Sequence, residues 1–181
     1  TASTHYFTHE GECVYPRYYN MPGQEIVAQK ISALENAEST MLFSSGMAAI
    51  AAMFDGLFTK GDHLIVQADI YGGTHFFITQ EFPKWGIEFT FVDVNNEAAV
   101  LAASKPNTKG IYIETPSNPL LAITDIELVC RMAKANSWLC MLDNTFASPI
   151  NQLAIQLGVD MIMHSGTKYM GGHSDLIFGS L

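Results

Sequence analysis

A lysine and an aspartate in the C-terminal half of the sequence are of the types that do chemistry. Lys168 lies in the stretch HSGTKYMGGHSD, residues 164–175, with hydroxyl side chains just before it. A lysine beside a buried site can have a pKa low enough for its free amine to attack a carbonyl carbon, although most lysines are simply solvated. Asp143 follows four apolar residues, where burial raises the pKa of a carboxyl group unless a cation or hydrogen-bond donors stabilise its charge. A cationic ring nitrogen would do so, and capping of the next turn is the alternative.

Two glycine-containing stretches suit a phosphate and a flat ring. Residues 44–46 (SSG) are predicted to end a strand and begin a helix, so the amides of Gly46 and Met47 are unpaired donors at the positive end of a helix dipole. Tyr71 precedes two glycines and could stack on a flat ligand. A serine helix cap and a packing tyrosine are the alternatives. Because neither GxGxxG nor the P-loop pattern occurs, a monophosphate is favoured over a dinucleotide or a nucleoside triphosphate.

Hydrophobic periodicity predicts the elements that would position these residues. An amphipathic helix begins at Gln24. Beyond it, short apolar runs alternate with helical patterns: strands at 40–43, 63–67, 87–92, 110–114, 138–142, 159–163 and 176–180, and helices at 47–58, 74–82, 124–136 and 151–157. The alternation predicts an α/β domain with a mostly parallel sheet and helices on both faces, although the short last connection also allows an antiparallel strand. Ligands bind such sheets beyond the carboxyl ends of the strands, where the loops above would meet.

Composition excludes several classes of protein. Of 181 residues, 48% are hydrophobic and 15% charged, which is enough apolar material for a packed domain. The 18 acidic and 9 basic residues give a net charge of −9, which argues against nucleic-acid binding. The uncharged stretch at 39–54, which no other uncharged stretch exceeds in length, is interrupted by serines and a glycine and is too short to span a membrane. Three separated cysteines, Cys13, Cys130 and Cys140, indicate reduced core thiols of a cytoplasmic protein rather than disulfides.

Residues 1–23 have no sustained periodicity and are predicted to form an N-terminal arm that contacts a neighbouring subunit, with the globular domain at 24–181. Tyr15 and Arg17 on this arm could grip a phosphate across a subunit boundary, and a solvated arginine is the alternative. His5 and His9 have i, i+4 spacing, but a third ligand is lacking, so no metal site is predicted. The final residues, 176–181, read as a strand cut short, which predicts that the chain is a piece of a longer protein.

A phosphate cradle, an aromatic ring, an aspartate and a lysine on different loops form the set that pyridoxal phosphate would use. Six stretches in order carry a resemblance to a known family: YPRYYN at 15–20, SSGMAAI at 44–50, YGGT at 71–74, ETPSNP at 114–119, LDNTFASP at 142–149, and HSGTKYMGGHSD at 164–175. The chain resembles the cystathionine γ-synthase/γ-lyase (Cys/Met metabolism) family of pyridoxal-phosphate enzymes, which includes methionine γ-lyase. The resemblance implies the large cofactor domain of the fold type I, aspartate-aminotransferase-like transferases, without the C-terminal small domain.

The resemblance implies a role for each matching position. Lys168 would carry the cofactor as a Schiff base and move protons, Asp143 would pair with the pyridine nitrogen, and Tyr71 would stack on the ring. The remaining cofactor-binding positions implied are Gly46, Met47, Ser165 and Thr167 at the phosphate, Tyr15 and Arg17 from the partner subunit, and Asn118 and Glu114 near the ring and its phenolic oxygen. The chain departs from the family pattern in the arm, which reads YPRYYNMPGQE rather than YSRxxNPT, and at Gly166, where alanine is frequent.

The function implied by the resemblance is that of a cytoplasmic lyase or transferase of sulfur amino acid metabolism. It would act on cystathionine, methionine or activated homoserine by elimination or replacement at the γ or β carbon, as a homotetramer built from two dimers that share active sites. The arginine that binds the substrate carboxylate would lie beyond Leu181. Two other functions remain as alternatives: a non-catalytic paralogue that still binds pyridoxal phosphate, and an inactive structural fragment. The sequence does not choose between elimination and replacement.

Overall fold

The computed structural model of the protein describes residues 6–7 and 13–181. Both histidines considered for a metal, His5 and His9, lie outside the described residues. Two short strands, β1 (Tyr6–Phe7) and β2 (Cys13–Val14), pair antiparallel, and a 3-10 helix follows at Pro16–Tyr18. The N-terminal segment is therefore not extended throughout, while its predicted contact with a neighbouring subunit, and the division at residue 23, stay predictions.

Five parallel strands form the central sheet, in the order β5-β4-β6-β7-β8. Their bounds are His63–Gln67 (β4), Glu88–Val92 (β5), Thr108–Glu114 (β6), Leu139–Asp143 (β7) and Met161–Met163 (β8). The predicted α/β class with a mostly parallel sheet is confirmed. Because β5 lies on one side of β4 and β6 lies on the other, the strand order reverses at β4, and a crevice at such a reversal is where ligands bind open parallel sheets.

Two apolar clusters cover the two faces of the sheet. Alternate residues of the central strands face opposite ways, so that Ile111 and Ile113 join one cluster while Tyr112 joins the other. Cys130 and Cys140 are buried free thiols in the first of these clusters, as the sequence predicted. Strands buried on both faces explain the continuous apolar runs in the sequence.

The described residues form six α-helices: α1 (Pro22–Glu35), α2 (Gly46–Leu57), α3 (Gly72–Trp85), α4 (Glu97–Ala103), α5 (Ile126–Ala135) and α6 (Ser148–Asn151). Serine, asparagine and aspartate side chains cap three of them, Ser45 at α2, Asn96 at α4 and Asp125 at α5. No helix in the described part of the chain is long and apolar enough to cross a membrane.

Three local predictions are wrong. The sequence reading missed α4, whose seven residues make too few turns for a clear helical period. The helix predicted at 151–157 is replaced by α6 and a 3-10 helix at Ala154–Leu157, because Gln152 is extended and its amide bonds to Asn144 and Thr115. The run at 40–43 contributes only β3 (Leu42–Phe43), which lies outside the central sheet and pairs antiparallel with β9 (Gly179–Ser180).

Candidate active site

The loops that follow β4, β6, β7 and β8 meet at the carboxyl edge of the sheet, and we call them the strand-end loops. Strand register places Glu114 directly beside Asp143, and Asp143 directly beside Met163. The predicted site residues at the ends of different strands are thereby brought to one edge. Gln67, which the sequence reading did not single out, joins β4 to β6 by exchanging hydrogen bonds with the backbone of Glu114 at 2.8 and 3.2 Å.

Glu114 is a buried carboxylate that holds two of these loops. Its Oε2 accepts the backbone N–H of Tyr71 and its Oε1 accepts that of Asn118, each at 2.7 Å. Burial, and then the neighbouring charge of Asp143, raise the pKa of Glu114 to about 8, although the two N–H donors act in the opposite direction. In this structure Glu114 therefore positions the loops that carry Tyr71 and Asn118, in addition to lying near the predicted ring site.

Asp143 is 6% exposed at the end of β7. Burial raises its pKa, while hydrogen bonds from the side chain and backbone of Thr145 and the charge of His164 act against that rise. The Thr145 N–H donates to Asp143 Oδ1 at 2.9 Å, and the Thr145 hydroxyl oxygen accepts the N–H of Ser165 at 2.7 Å. Thr145 thus links the end of β7 to the loop after β8. The sequence indicated only a turn residue there, because the link depends on the pairing of two strands.

The loop after β3 and the loop after β8 form a cradle of amides and hydroxyls. Ser45 caps α2 by accepting the N–H of Ala48, which leaves the amides of Gly46 and Met47 as first-turn donors. A Cβ added at Gly46 would lie 2.8 Å from Ser165 Oγ, so only glycine leaves room there. The Met47 side chain packs against the core, and only its amide suits an anion. A small anion at this helix N-terminus fits these groups.

Lys168 follows that cradle in a tight turn. Its N–H donates to the Ser165 carbonyl at 3.1 Å, and its carbonyl accepts the N–H of Gly172 at 2.8 Å. The side chain of Lys168 is exposed, and the described residues include no hydrogen-bond or ion-pair partner for its amine. The backbone of the turn is therefore fixed while the amine is available to a ligand at the sheet edge.

Phe178 holds this turn from the other side. The Thr167 hydroxyl donates to the Phe178 carbonyl at 3.2 Å and accepts the Phe178 N–H at 3.1 Å. A phosphate bound by Thr167 would replace the first of these bonds. A Cβ added at Gly166 would lie 2.1 Å from the Phe178 ring, which explains glycine at a position where the family pattern often has alanine.

Tyr71 lies at the start of α3 with 43% of its surface exposed. Its ring occupies the space beside Gly73, where an added Cβ would approach it to 2.4 Å. The lack of a side chain at Gly73 therefore lets the ring fold against the first turn of α3, close to the loop that Glu114 holds. Stacking of this ring on a flat ligand stays a prediction.

Tyr15 contacts other residues of the arm. The Tyr15 ring packs edge-on against Tyr18 with 5.3 Å between centroids, and the Tyr15 N–H donates to Asn20 Oδ1. Arg17 is exposed in the 3-10 helix. Their predicted role at a partner's phosphate stays a prediction. In the described part of the chain, no group of three or more His, Cys, Asp or Glu side chains is placed to hold a metal ion.

Replacing Glu114 by glutamine is expected to flatten the pH dependence of stability between pH 4.5 and about pH 8. In this range the folded protein keeps a proton that the unfolded chain has lost, so the free energy of unfolding falls as pH rises. One pKa unit corresponds to about 1.4 kcal/mol. Half of the rise in the pKa of Glu114 from 4.5 to about 8 would therefore change the free energy of unfolding by about 2 kcal/mol. Urea unfolding of the ligand-free protein at several pH values measures this, with the exposed Glu38→Gln as control. If the free energy of unfolding of Glu114→Gln fell with pH as steeply as that of the parent, the raised pKa would not belong to Glu114.

Known proteins resemble this chain over nearly its whole length. It is 48% identical to the cystathionine β-lyase MetC of Bacillus subtilis over 87% of the chain and 40% of that protein. It is 47% identical to the cystathionine γ-lyase of Bacillus subtilis over 91% of the chain and 43% of that protein. With the L-methionine γ-lyase of Fusobacterium nucleatum it shares 40% identity over 94% of the chain and 43% of that protein. The chain thus spans less than half the length of these relatives.

Solved structures agree with the sequence relatives. The cystathionine γ-lyase of Lactobacillus plantarum, crystallised with L-serine, superposes with a TM-score of 0.90 at 46% identity, covering 99% of this chain and 47% of that one. MetB of Corynebacterium glutamicum superposes with a TM-score of 0.87 at 41% identity, with the same coverage. The family model for Cys/Met metabolism PLP-dependent enzymes matches residues 1–181. Because the fold, the sequence relatives and the family model all agree, the chain belongs to the family of Cys/Met metabolism PLP-dependent enzymes.

Proposed function

We propose that the protein acts as a pyridoxal-phosphate-dependent lyase or transferase on sulfur amino acids such as cystathionine, methionine or an activated homoserine. The observation that carries the proposal is the buried Asp143 carboxylate at the carboxyl end of β7, linked through Thr145 to Ser165 of the anion cradle. A buried acid and an anion cradle at one edge of the sheet fit the two ends of a phosphorylated pyridine. Family membership identifies this phosphorylated pyridine as pyridoxal phosphate.

Each part of the chain has a proposed task. Pyridoxal phosphate, when bound, supplies an electron-accepting ring that makes the α-proton of an amino acid removable. Asp143 would hold a proton on the ring nitrogen, since a buried carboxylate gains most from a cationic partner. The exposed Lys168 amine would bind the cofactor and move the α-proton. The amides of Gly46 and Met47 would bind the phosphate, together with the hydroxyls of Ser165 and Thr167.

Glu114 supports the proposed site through hydrogen bonds to the backbone of two loops. By holding the backbone at Tyr71 and Asn118, it would set the positions from which the phenol ring stacks and the asparagine reaches the phenolic oxygen of the cofactor. The joint retention of the lysine, the acid and the cradle hydroxyls argues against a non-catalytic paralogue. We therefore favour an enzyme over a non-catalytic paralogue or an inactive fragment.

The choice between elimination and replacement needs a direct assay. Relatives named as a β-lyase, a γ-lyase and a γ-synthase share 48%, 47% and 43% identity with the chain, so similarity does not rank the reactions. The test is to incubate the intact protein with cystathionine, methionine and O-acetylhomoserine plus a thiol, and to quantify keto acid, free thiol and thioether products. Turnover of at least one substrate that requires pyridoxal phosphate supports the proposal, and none with a cofactor-loaded protein would overturn it.

Location and assembly are also proposals. We place the protein in the cytoplasm as a homotetramer of two dimers, in which Tyr15 and Arg17 reach the phosphate of the neighbouring subunit. The basis is the family, together with the exposed position of Arg17 near the start of the chain. A shared site requires the dimer, so diluting the protein below its dimerisation constant would weaken cofactor binding. Affinity that is independent of protein concentration would count against sharing.

Removing the Thr145 hydroxyl is expected to weaken cofactor binding. Thr145→Val keeps the side-chain shape and the backbone N–H bond to Asp143, but it loses the side-chain bond to Asp143 and leaves the Ser165 amide without its acceptor, a loss of about 2 kcal/mol or roughly 30-fold in affinity. Thr145→Ser keeps the hydroxyl and should stay within about threefold of the parent. Fluorescence titration of the cofactor-free protein with pyridoxal phosphate measures both. If the Thr145→Val and Thr145→Ser variants bind pyridoxal phosphate equally well, the hydroxyl does not connect the two ends of the site.

A further inference from the structure

A buried carboxylate on α1 joins two strand ends. His164 contacts Glu35 Oε1 through its Nε2, and Asn144 Nδ2 donates to the same oxygen at 3.0 Å. All three side chains are almost fully buried, with exposures of 3% for Glu35, 2% for His164 and 0% for Asn144. We call these three residues the Glu35 cluster. Two strand ends therefore share one acceptor atom, which comes from an element more than 100 residues earlier in the chain.

The position of Glu35 breaks several local rules. It is the last residue of α1, where the helix dipole disfavours a negative side chain. Full burial adds a desolvation cost, and among the described residues its Oε2 has no hydrogen-bond partner. Replacing a buried ion pair by apolar residues is often neutral or stabilising, so stability alone is a weak explanation for this one. Departures from local rules are expected where function needs them.

The partners of Glu35 are sequence neighbours of the proposed cofactor-binding residues. Asn144 directly follows Asp143, and its backbone N–H donates to the Met163 carbonyl at 2.9 Å. His164 directly precedes Ser165, and its backbone exchanges two bonds of 3.0 Å with Ser180. A change in the Glu35 cluster would therefore shift Asp143 and Ser165, the two residues that Thr145 links by hydrogen bonds.

A second side chain extends the cluster toward β6. Asn144 Oδ1 accepts from Gln152 Nε2 at 2.8 Å, and the same Gln152 nitrogen donates to the Thr115 carbonyl at 3.1 Å. Thr115 directly follows Glu114, the carboxylate that holds the loops of Tyr71 and Asn118. Glu35 is thus connected to the ends of three adjacent strands: directly to β7 and β8 through Asn144 and His164, and to β6 through Asn144 and Gln152.

We infer that Glu35 is a positioning residue, which fixes through Asn144 and His164 the relative placement of Asp143 and the 165–168 turn. The inference rests on the proposed function for the identity of the ligand. It does not rest on it for the coupling itself, which belongs to the chain alone. Glu35 would not touch the cofactor, and its effect on binding would pass through the two strand ends.

The test compares three variants of the intact protein. Glu35→Leu removes both bonds to Oε1 at similar volume, Glu35→Gln keeps an acceptor oxygen for Asn144 and His164, and Glu25→Leu is the control at an exposed position of the same helix. Two quantities are measured well below the melting temperature. The first is amide hydrogen exchange at Thr145 and Ser165 in the ligand-free protein. The second is affinity for 4′-deoxypyridoxine 5′-phosphate, an analogue without the aldehyde, so lysine chemistry does not contribute.

We expect Glu35→Leu to speed exchange at both amides at least tenfold and to weaken analogue binding about tenfold. Amides of β4 such as that of Ile65 should keep their exchange rates, and Glu35→Gln and Glu25→Leu should stay within about threefold of the parent in both measurements. A purely structural role would lower the melting temperature and leave exchange at these two amides and the affinity unchanged, which would overturn the inference. Faster exchange with unchanged affinity would also overturn it.

Two further outcomes are decided by the same design. If Glu35→Leu does not fold, Asn144→Ser removes one arm of the cluster and is read by the same two measurements, with the same expected directions. If the parent binds neither pyridoxal phosphate nor the analogue, the proposed function fails, and the exchange rates alone decide the coupling. In that case, unchanged exchange at Thr145 and Ser165 in Glu35→Leu overturns the inference.

Discussion

Replacing Lys168 by alanine is expected to lower turnover by about 10³-fold or more, because the group proposed to move the α-proton is lost. The structure leaves the Lys168 amine exposed at the sheet edge while its backbone is held in the turn, so alanine should remove the amine without disturbing the cradle. The measurement is cofactor that remains on the protein after borohydride reduction and denaturation. It should be present in the parent and absent in the variant.

The matched control for this experiment is Lys30→Ala, an exposed lysine on α1. It should keep the borohydride-fixed cofactor and the turnover of the parent. Lys168→Arg adds a second comparison, since it keeps the positive charge but presents no amine that can bond to the aldehyde. If Lys168→Ala still fixes cofactor in the same amount, another amine holds it, and the assignment of Lys168 is wrong.

Replacing Asp143 by asparagine is expected to have opposite effects on activity and stability. Activity should fall about 100-fold or more, because asparagine cannot hold a proton on the ring nitrogen. The ligand-free protein should become more stable at pH 8, since burial raises the pKa of Asp143 and its ionised form costs stability as pH rises above the ordinary value of 3.8. Steady-state kinetics and urea unfolding at pH 8 measure the two effects.

The geometry of Asp143 makes this substitution specific. Asparagine retains an oxygen that can accept the Thr145 N–H, so the turn after β7 should be preserved. Removing the charge should also lower the pKa of Glu114, because Asp143 contributes to its rise. The exposed Asp55→Asn on α2 is the control and should change neither quantity. A variant with parental activity would show that the ring nitrogen does not lie beside Asp143.

The sequence predicted the parts of the fold that depend on local patterns. The run at 63–67 coincides with β4, because a strand covered on both faces must be apolar at consecutive positions. Strand ends carry the polar residues, so their meeting at one edge followed from the α/β class. The missed α4 and the replaced helix at 151–157 are short segments, where side-chain bonds such as those of Gln152 outweigh periodicity.

The links within the site could not be predicted in the same way. Thr145 reads as an ordinary turn residue until the pairing of β7 and β8 places the Ser165 amide beside its hydroxyl. Glu35 looks like a surface residue of an amphipathic helix, and its contact with His164 bridges 129 positions of sequence. Such contacts are set by tertiary packing, on which a single sequence carries no direct information.

The bonds between Thr167 and Phe178 close a loop at its neck. Between them, residues 169–177 are largely exposed and lack regular secondary structure, while the neck is held by three hydrogen bonds and by the Phe178 ring against Gly166. Compact surface loops with joined ends can change in length and composition at little energetic cost to their base. A change in the tip of this loop should therefore leave the Thr167–Phe178 pairing intact, and with it the backbone position from which Lys168 extends.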